Sequence, residues 1–479
     1  MKKHCLVLSI IMTAILFSIS ACKKNDDLYS KENPVSITVW NYYNGEQIES
    51  FNSLVEKFNK GKGAEKGIHV ECFSQGTVND LERNVISAVE GKVGAYDVPN
   101  IFSAYPDTAY YVDNMGVLVD LSQYLTEGEL DLYVDSYIDE GRFNNSEEVK
   151  IFPVAKSLEI FLLNKTDWDK FAEETGATYD DLKTIEGVTK IAEEYYNWTD
   201  SKTLEPNDGR AFFGRDAMAN YILIGAKELG VDIFNVENGN MTLNLDKEVM
   251  RKLWDNYYVP FIKGYFAKSG KFRSDDIKTG NVISFVGSSS GATFFPKQVI
   301  LSDTESYPIL MEALPNPKFS DGEDYAIQQG AGMVVTKGSD AEIKASIEFL
   351  KWFTSIENNI EFSTQSGYLP VLKEANNIEV IEKYNSEIDN IMDKILGQAI
   401  DTVNSNKLYT TNAFENGTGA RVILEHCMSD IADKDRGIVV ERLKNGFTLE
   451  EASAEFLTDE YFDTWYNNLL SELKEFQYK

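Results

Sequence analysis

Between residues 36 and 115 short β-rich runs alternate with helical patterns, and this alternation limits the possible folds more than any other feature. Ser36–Trp40 (SITVW), Gly67–Phe73 (GIHVECF) and Asn100–Tyr105 (NIFSAY) read as strands. The stretch bearing Ile48, Phe51, Leu54, Val55 and Phe58, then Leu81–Val89 and Thr108–Met115, read as helices. Such alternation implies right-handed βαβ units and a mostly parallel sheet. Ligands of such sheets lie beyond the carboxyl ends of the strands, which here are Asn41–Asn44 and Ser103–Asp107.

Downstream, Ile151–Ser157 runs extended into Ile160–Leu163, residues 168–280 are helix-rich, and Asn238-Gly239 marks a hairpin. Val282–Val286 is a strand leading into Gly287–Gly291 (GSSSG), Gly330–Thr336 is another strand, and the remainder is chiefly helical. Three extended stretches carry proline: Pro153, Pro315 with Pro317, and Pro370. Proline stiffens a chain that must run extended. Three crossings between two lobes would make each lobe discontinuous, which is a hinge architecture.

The 479 residues suffice for two to four domains at roughly 100–200 residues each. Forty-six Lys and Arg against 77 Asp and Glu give a net charge of −31. That charge argues against nucleic acid and anionic membrane faces as partners, since both need clustered cations. Three histidines leave little material for His-metal or His-based chemistry. His69 and Cys72, three apart on a strand, point to opposite faces, so no zinc site is expected there. No cofactor is called for by any motif.

At the N-terminus, Lys2, Lys3 and His4 precede an apolar run from Leu6 to Ile19, short of the roughly 20 residues needed to span a bilayer. It reads as a secretory signal, residues 1–21, and Ile19-Ser20-Ala21-Cys22 resembles a lipobox. Cys22 is then the lipidated residue, and residues 22–34 form a polar tether holding the folded body at the cell membrane, facing the periplasm or the exterior. Cys72 and Cys427, far apart, do not suggest a disulfide framework.

Taken in order, ITVW (37–40), FPVAKSLEIFLLNK (152–165), NGNMTLNLDKE (238–248), GSSSGA (287–292) and FLKWFTSIENNIEFSTQSGYLPVLKEA (349–375) resemble the family 1 extracellular solute-binding lipoproteins of bacterial ABC importers, relatives of the maltodextrin- and glycerol-3-phosphate-binding proteins. The resemblance covers nearly all of residues 36–457. It implies an α/β, type II periplasmic-binding fold with three hinge crossings and a cleft between lobes. Lobe 1 would comprise 35–151 and 316–368, and lobe 2 would comprise 152–315 and 369–479. It also implies a monomer that captures a solute, catalyses nothing, and serves ABC permease subunits.

By the same resemblance Tyr42, Tyr43 and Asn44 reach the cleft from the first strand end, and Ser103, Tyr105 and Asp107 from the third. Asp107 reads alternatively as a helix N-cap beside Pro106, and Trp40 is as compatible with the core as with the cleft. Ser157 matches a hinge-strand position that carries Glu in maltodextrin binders and Ser in glycerol-3-phosphate binders, with Lys156 beside it facing solvent. Ser288, Ser289 and Gly291 match a ligand-facing loop, Tyr368 the Gly-Tyr-x-Pro tyrosine, and Arg421 an arginine near the cleft, or else a surface ion pair. Tyrosines with a carboxylate suit a sugar or oligosaccharide, and Ser157 with Arg421 suits a glycerol-phosphate-type ligand. A different class, serine hydrolysis, would use Ser289 of Gly-Ser-Ser-Ser-Gly with His426 as base, although that histidine falls in a helical run.

Overall fold

A computed structural model describes residues 28–144, 146–386 and 388–477. The expected signal peptide, Cys22 and tether residues 23–27 lie outside the described residues. The first sheet starts with β1 (Val35–Asn41), which pairs in parallel with β2 (Ile68–Ser74) from Val35↔Ile68 to Asn41↔Ser74. On its other edge β1 takes β3 (Ile101–Ala104), also parallel. The connecting helix Gly45–Lys60 buries Phe51, Leu54, Val55 and Phe58, the i, i+3, i+4, i+7 stripe of a helix laid on a sheet. The helix Val78–Val89 starts at a capping box between Thr77 and Asp80.

The chain then crosses to a second sheet, whose central strand β4 (Ser157–Asn164) is buried along its whole length. A strand covered on both faces reads as a continuous apolar run, and within SLEIFLLN the carboxylate of Glu159 therefore stands out. There follow β5 (Phe213–Arg215) and the hairpin of β6 (Phe234–Glu237) with β7 (Asn240–Leu243). Its turn residues Asn238 and Gly239 both have positive φ (51° and 75°), the requirement of a type I′ turn that Asn-Gly satisfies. Next, β8 (Ser284–Ser288) pairs antiparallel with β4 and parallel with β5, and β9 (Gln298–Ile300) with β10 (Ser306–Pro308) makes a separate ribbon.

Here the structure corrects the expected lobe boundaries. Both β11 (Met311–Pro315) and β12 (Tyr325–Gln329) hydrogen-bond to β4, so residues 316–329 run with the second sheet rather than the first. Pro315 sits opposite Ile160 at the end of a β strand and crosses nothing. The crossing comes after Gln329, before β13 (Gly332–Val335) returns antiparallel to β3. Glycine makes that joint possible. Gly330 has φ +90°, and a Cβ there would lie 2.8 Å from the Ala155 carbonyl oxygen. The first sheet is thus ordered β13-β3-β1-β2; the second, completed by β14 (Lys407–Tyr409), is β14-β12-β4-β8-β5. Helices from 378 to 474 complete the mixed α/β, two-lobed fold, several packing on the second lobe through Trp254, Tyr258 and Trp465. Among the described residues no helix is long and apolar enough to cross a membrane.

The three crossings lie side by side. Lys156 and Leu369 form an isolated bridge, and Phe152 forms another with Met333. Lys156, expected in solvent, is instead buried, with 1% of its side chain exposed. Its Nζ donates to the Gly330 carbonyl (2.8 Å) and pairs with the equally buried Glu140. Gln328 Nε2 donates to Glu140 as well, and to the Ser136 carbonyl at 3.2 Å. One ammonium therefore ties a first-lobe carboxylate to two of the crossings. Removing one member of such a pair leaves an uncompensated buried charge. Lys156→Met should cost about 3–5 kcal/mol in urea denaturation, and adding Glu140→Leu should restore much of it. A single-variant loss below about 1 kcal/mol would show that the pair does not hold the hinge.

Candidate ligand-binding cleft

The carboxyl ends of β1 and β3 face the second sheet across a cleft that holds two chambers meeting at Gln329. The first, of about 370 Å³, is lined from the first lobe by Asn79, Glu82, Tyr105 and Asp107. The second lobe adds Asn220, Gln328, Gln329, Phe414, Arg421 and Glu425. The second chamber, of about 880 Å³, is lined by Asn44 and Gln47 from the first lobe and by Glu159, Asp216, Phe272, Ser288, Gly291 and Phe294 from the other.

Of the residues expected from sequence, Tyr105, Asp107 and Arg421 thus line one chamber, and Asn44, Ser288 and Gly291 the other. Tyr42, Tyr43, Ser103, Ser157, Ser289 and Tyr368 line neither and are buried. Three of these form the wall behind Tyr105. Its ring stacks on Tyr42 at 6.4 Å, the Tyr42 and Tyr368 hydroxyls are 3.4 Å apart, and Tyr43 meets Tyr368 edge-on at 5.9 Å. The Ala331 amide donates to the Tyr42 hydroxyl (3.3 Å), so this aromatic wall rests on the crossing strands themselves. Burial drives the phenols of Tyr42, Tyr43 and Tyr105 far above their ordinary range, so they stay neutral hydrogen-bonding groups. Ser157 pairs across the ladder with Gln329, and Ser103 with Met333. Trp40 is buried in the first-lobe core, edge-on to Tyr96.

Asp107 is not the N-cap of its helix. Tyr105 holds that position, Pro106 fills the first helical turn, and the Asp107 carboxylate projects to the opposite lobe. There the Phe414 amide donates to it, and a Cβ at Gly417 would collide with it, so glycine is required for the approach. Arg421, one turn further along the helix Gly417–Cys427, reaches Asn220 Oδ1. Asn220 Nδ2 donates to Glu159 (2.8 Å), which Arg215 pairs at 3.1 Å, so Arg421 is aimed by a buried relay rather than by a surface ion pair. Glu425 accepts from the Met218 and Ala219 amides (3.2 and 2.9 Å), the positive end of the helix Met218–Glu228.

The sequence reading missed Glu82, Glu159, Asp216, Asn220, Gln328 and Gln329. Glu159 and Asn220 carried a signal, each being a polar residue inside an otherwise apolar buried segment. Asp216 follows a strand end, and the others carried none.

Acceptors dominate the first chamber. Among the described residues that line it, Glu82, Asp107 and Glu425 face the single cation Arg421. The buried Oε1 atoms of Gln328 and Gln329 accept from no group among the described residues. Burial raises Glu82 and pushes Asp107 up to about 7, against the pull of Arg421 and the Phe414 amide. In the second chamber burial brings Asp216 to about 6.

The proposed serine–histidine pair shares no contact. Ser289 Oγ is buried and accepts from the Leu158 amide at 3.4 Å, while His426 is exposed and faces Asp430.

A raised carboxyl favours the fold while protonated. Its contribution is full below the unfolded value near 4 and is lost as pH rises through about 7. Asp107→Asn should therefore match the wild-type melting temperature near pH 4 and exceed it at pH 8. A difference that stays constant over that range would show that Asp107 does not titrate there.

A family model described as bacterial extracellular solute-binding protein matches residues 53–387. No curated protein matches the chain. Among solved structures, the cyclic α-maltosyl-1,6-maltose binding protein of Arthrobacter globiformis is similar at TM-score 0.64 and 17% identity, covering 92% of this chain and all of its own. UgpB from Mycobacterium tuberculosis, in complex with glycerophosphocholine, gives 0.65 and 19% over 92% of this chain and 99% of its own. The maltose/maltodextrin-binding domain MalE from Bdellovibrio bacteriovorus, bound to maltotriose, gives 0.60 and 14% over 91% and 100%. At these identities the likeness is one of fold, whereas the family model spans well over half of the sequence. The chain belongs to the bacterial extracellular solute-binding protein family.

Proposed function

We propose that this protein captures a neutral sugar or oligosaccharide between its lobes and delivers it to the permease of an ABC importer. The observation that carries the reading is the acceptor-rich first chamber, where among the described residues three carboxylates and two unpaired glutamine oxygens stand against one guanidinium. A ligand there must bring donors, and a sugar brings one on each hydroxyl. Tyr105 supplies a ring for its C–H surface. Two structural relatives that bind sugars, the cyclic α-maltosyl-1,6-maltose binding protein and the maltotriose-bound MalE domain, support the reading.

A glycerol-phosphate-type ligand is the second reading, favoured by Arg421 and by the glycerophosphocholine bound to UgpB. It fits less well. Ser157 is buried away from both chambers, and Arg421 is already engaged by Asn220 opposite Asp107 and Glu82. Calorimetry with maltotriose, mannotriose and xylotriose beside glycerol-3-phosphate and glycerophosphocholine separates the two. A sugar at 100 times its Kd should stabilise the fold by about 2.7 kcal/mol, and Tyr105→Ala should weaken binding by about 1–3 kcal/mol. Binding of only the phosphorylated compounds would overturn the sugar reading.

The protein acts as a monomeric binder without turnover. Recovery of unaltered ligand after prolonged incubation is the expected result, and Ser289-dependent product would refute it. Anchoring is by lipid on Cys22, outside the cytoplasm. Cys22→Ala should release the protein from the membrane fraction or block processing; a variant processed and membrane-bound as before would remove that part of the reading.

A further inference from the structure

We infer that the pocket framed by Lys31, Lys66 and Lys344 at the outer end of the first lobe holds the phosphate of a lipid headgroup, seating the anchored protein on the bilayer by that end. The inference rests on the proposed lipidation of Cys22 and concerns a surface remote from the cleft.

The segment that follows the anchor is built onto the first lobe. The Ser30 and Asn33 amides each donate to the other's carbonyl (2.9 and 3.1 Å), closing a turn. Tyr29 packs against the first-lobe core, and the Val35 amide donates to the Gly67 carbonyl at 2.9 Å. Gly67 has φ +76°, and a Cβ there would lie 2.0 Å from the Ser30 carbonyl oxygen, so the turn is seated directly on that glycine. Residues 23–27 alone separate Cys22 from Leu28, the start of this docked segment. Fully extended, at ~3.3–3.6 Å per residue, that link reaches roughly 20 Å. A lipid on Cys22 therefore holds the surface around Leu28 close to the bilayer.

That surface contains a pocket of about 590 Å³ between the turn, the short helix Lys62–Lys66 and the helix Asp340–Phe353. Lys31, Lys66 and Lys344 line it, together with Glu32 and Glu65. Glu32 accepts from the Ser30 hydroxyl at 3.0 Å, and Lys66 pairs with Glu348 at 2.5 Å. Among the described residues Lys31 and Lys344 take part in no ion pair, which leaves two ammonium groups for an incoming anion. An ammonium is a compact point charge that suits a phosphate oxygen, and lysines close to a lipid surface are drawn to it. The net charge of −31 disfavours broad adsorption, yet one headgroup needs only local cations. The pocket lies at the amino ends of β1 and β2, the opposite end of the sheet from the cleft. A lipid held there leaves the cleft clear.

The test is lysine acetylation, read by mass spectrometry, on the lipidated mature chain. The protein is placed in phosphatidylethanolamine–phosphatidylglycerol vesicles, in phosphate-free galactolipid vesicles, and in a neutral polyoxyethylene detergent with and without inorganic phosphate. Relative to the exposed Lys190 of the second lobe, Lys31, Lys66 and Lys344 should be at least threefold protected in the phospholipid vesicles alone. In Lys31→Gln/Lys344→Gln, two exposed positions, Lys66 should lose that protection. Equal labelling throughout, equal protection by galactolipid, or Lys66 still protected in the double variant would each overturn the headgroup site while leaving lipidation of Cys22 intact. Equal protection by inorganic phosphate in detergent would make a free ion the occupant and overturn it likewise. A mature N-terminal peptide without lipid would overturn the anchoring reading and this site with it.

Discussion

A buried ammonium at the meeting point of the crossing strands governs this architecture. Lys156 can be withdrawn from water only because Glu140 balances its charge and the Gly330 carbonyl accepts a further hydrogen bond. Those partners belong to different parts of the chain. Satisfying the lysine therefore fixes where the first crossing lies against the second, and the Lys156–Leu369 bridge adds the third. Gly330 makes the geometry possible, since any side chain there would strike the neighbouring crossing.

The cleft inherits its shape from that junction. Gln328 touches both the ion pair and the first chamber, Gln329 stands between the chambers, and Tyr42 holds the Ala331 amide while backing the ring of Tyr105. Change at the hinge would thus be felt directly at the cleft floor. Asp107 is the counterpart at the mouth, spanning the lobes to reach the Phe414 amide. Burial holds its carboxyl above the usual range.

Much of the fold was legible because it follows from local periodicity. The helical stripe through Phe51 and Phe58 and the Asn238-Gly239 turn are consequences of neighbouring residues, and each is found where expected. The crossing assigned to Pro315 and Pro317 was misplaced because proline marks an extended segment without saying which strand it lies against. Lys156 was misread for a similar reason: its partner Glu140 lies 16 residues away and its Gly330 contact 174 away.

The amino-acid sequence by itself determined the alternation of strands and helices and the strand ends from which Tyr105 and Asp107 project. Those properties depend on side-chain patterning within a few residues, and patterning survives in a linear text. Only the tertiary structure decided which polar groups face the cleft. It buried Tyr43 and Ser289, brought Asn220 beside Arg421, and left the side-chain oxygens of Gln328 and Gln329 without partners among the described residues. Solvent exposure and hydrogen-bond satisfaction are properties of segments brought together from distant parts of the chain, and they exist only once the two sheets have closed on their shared hinge.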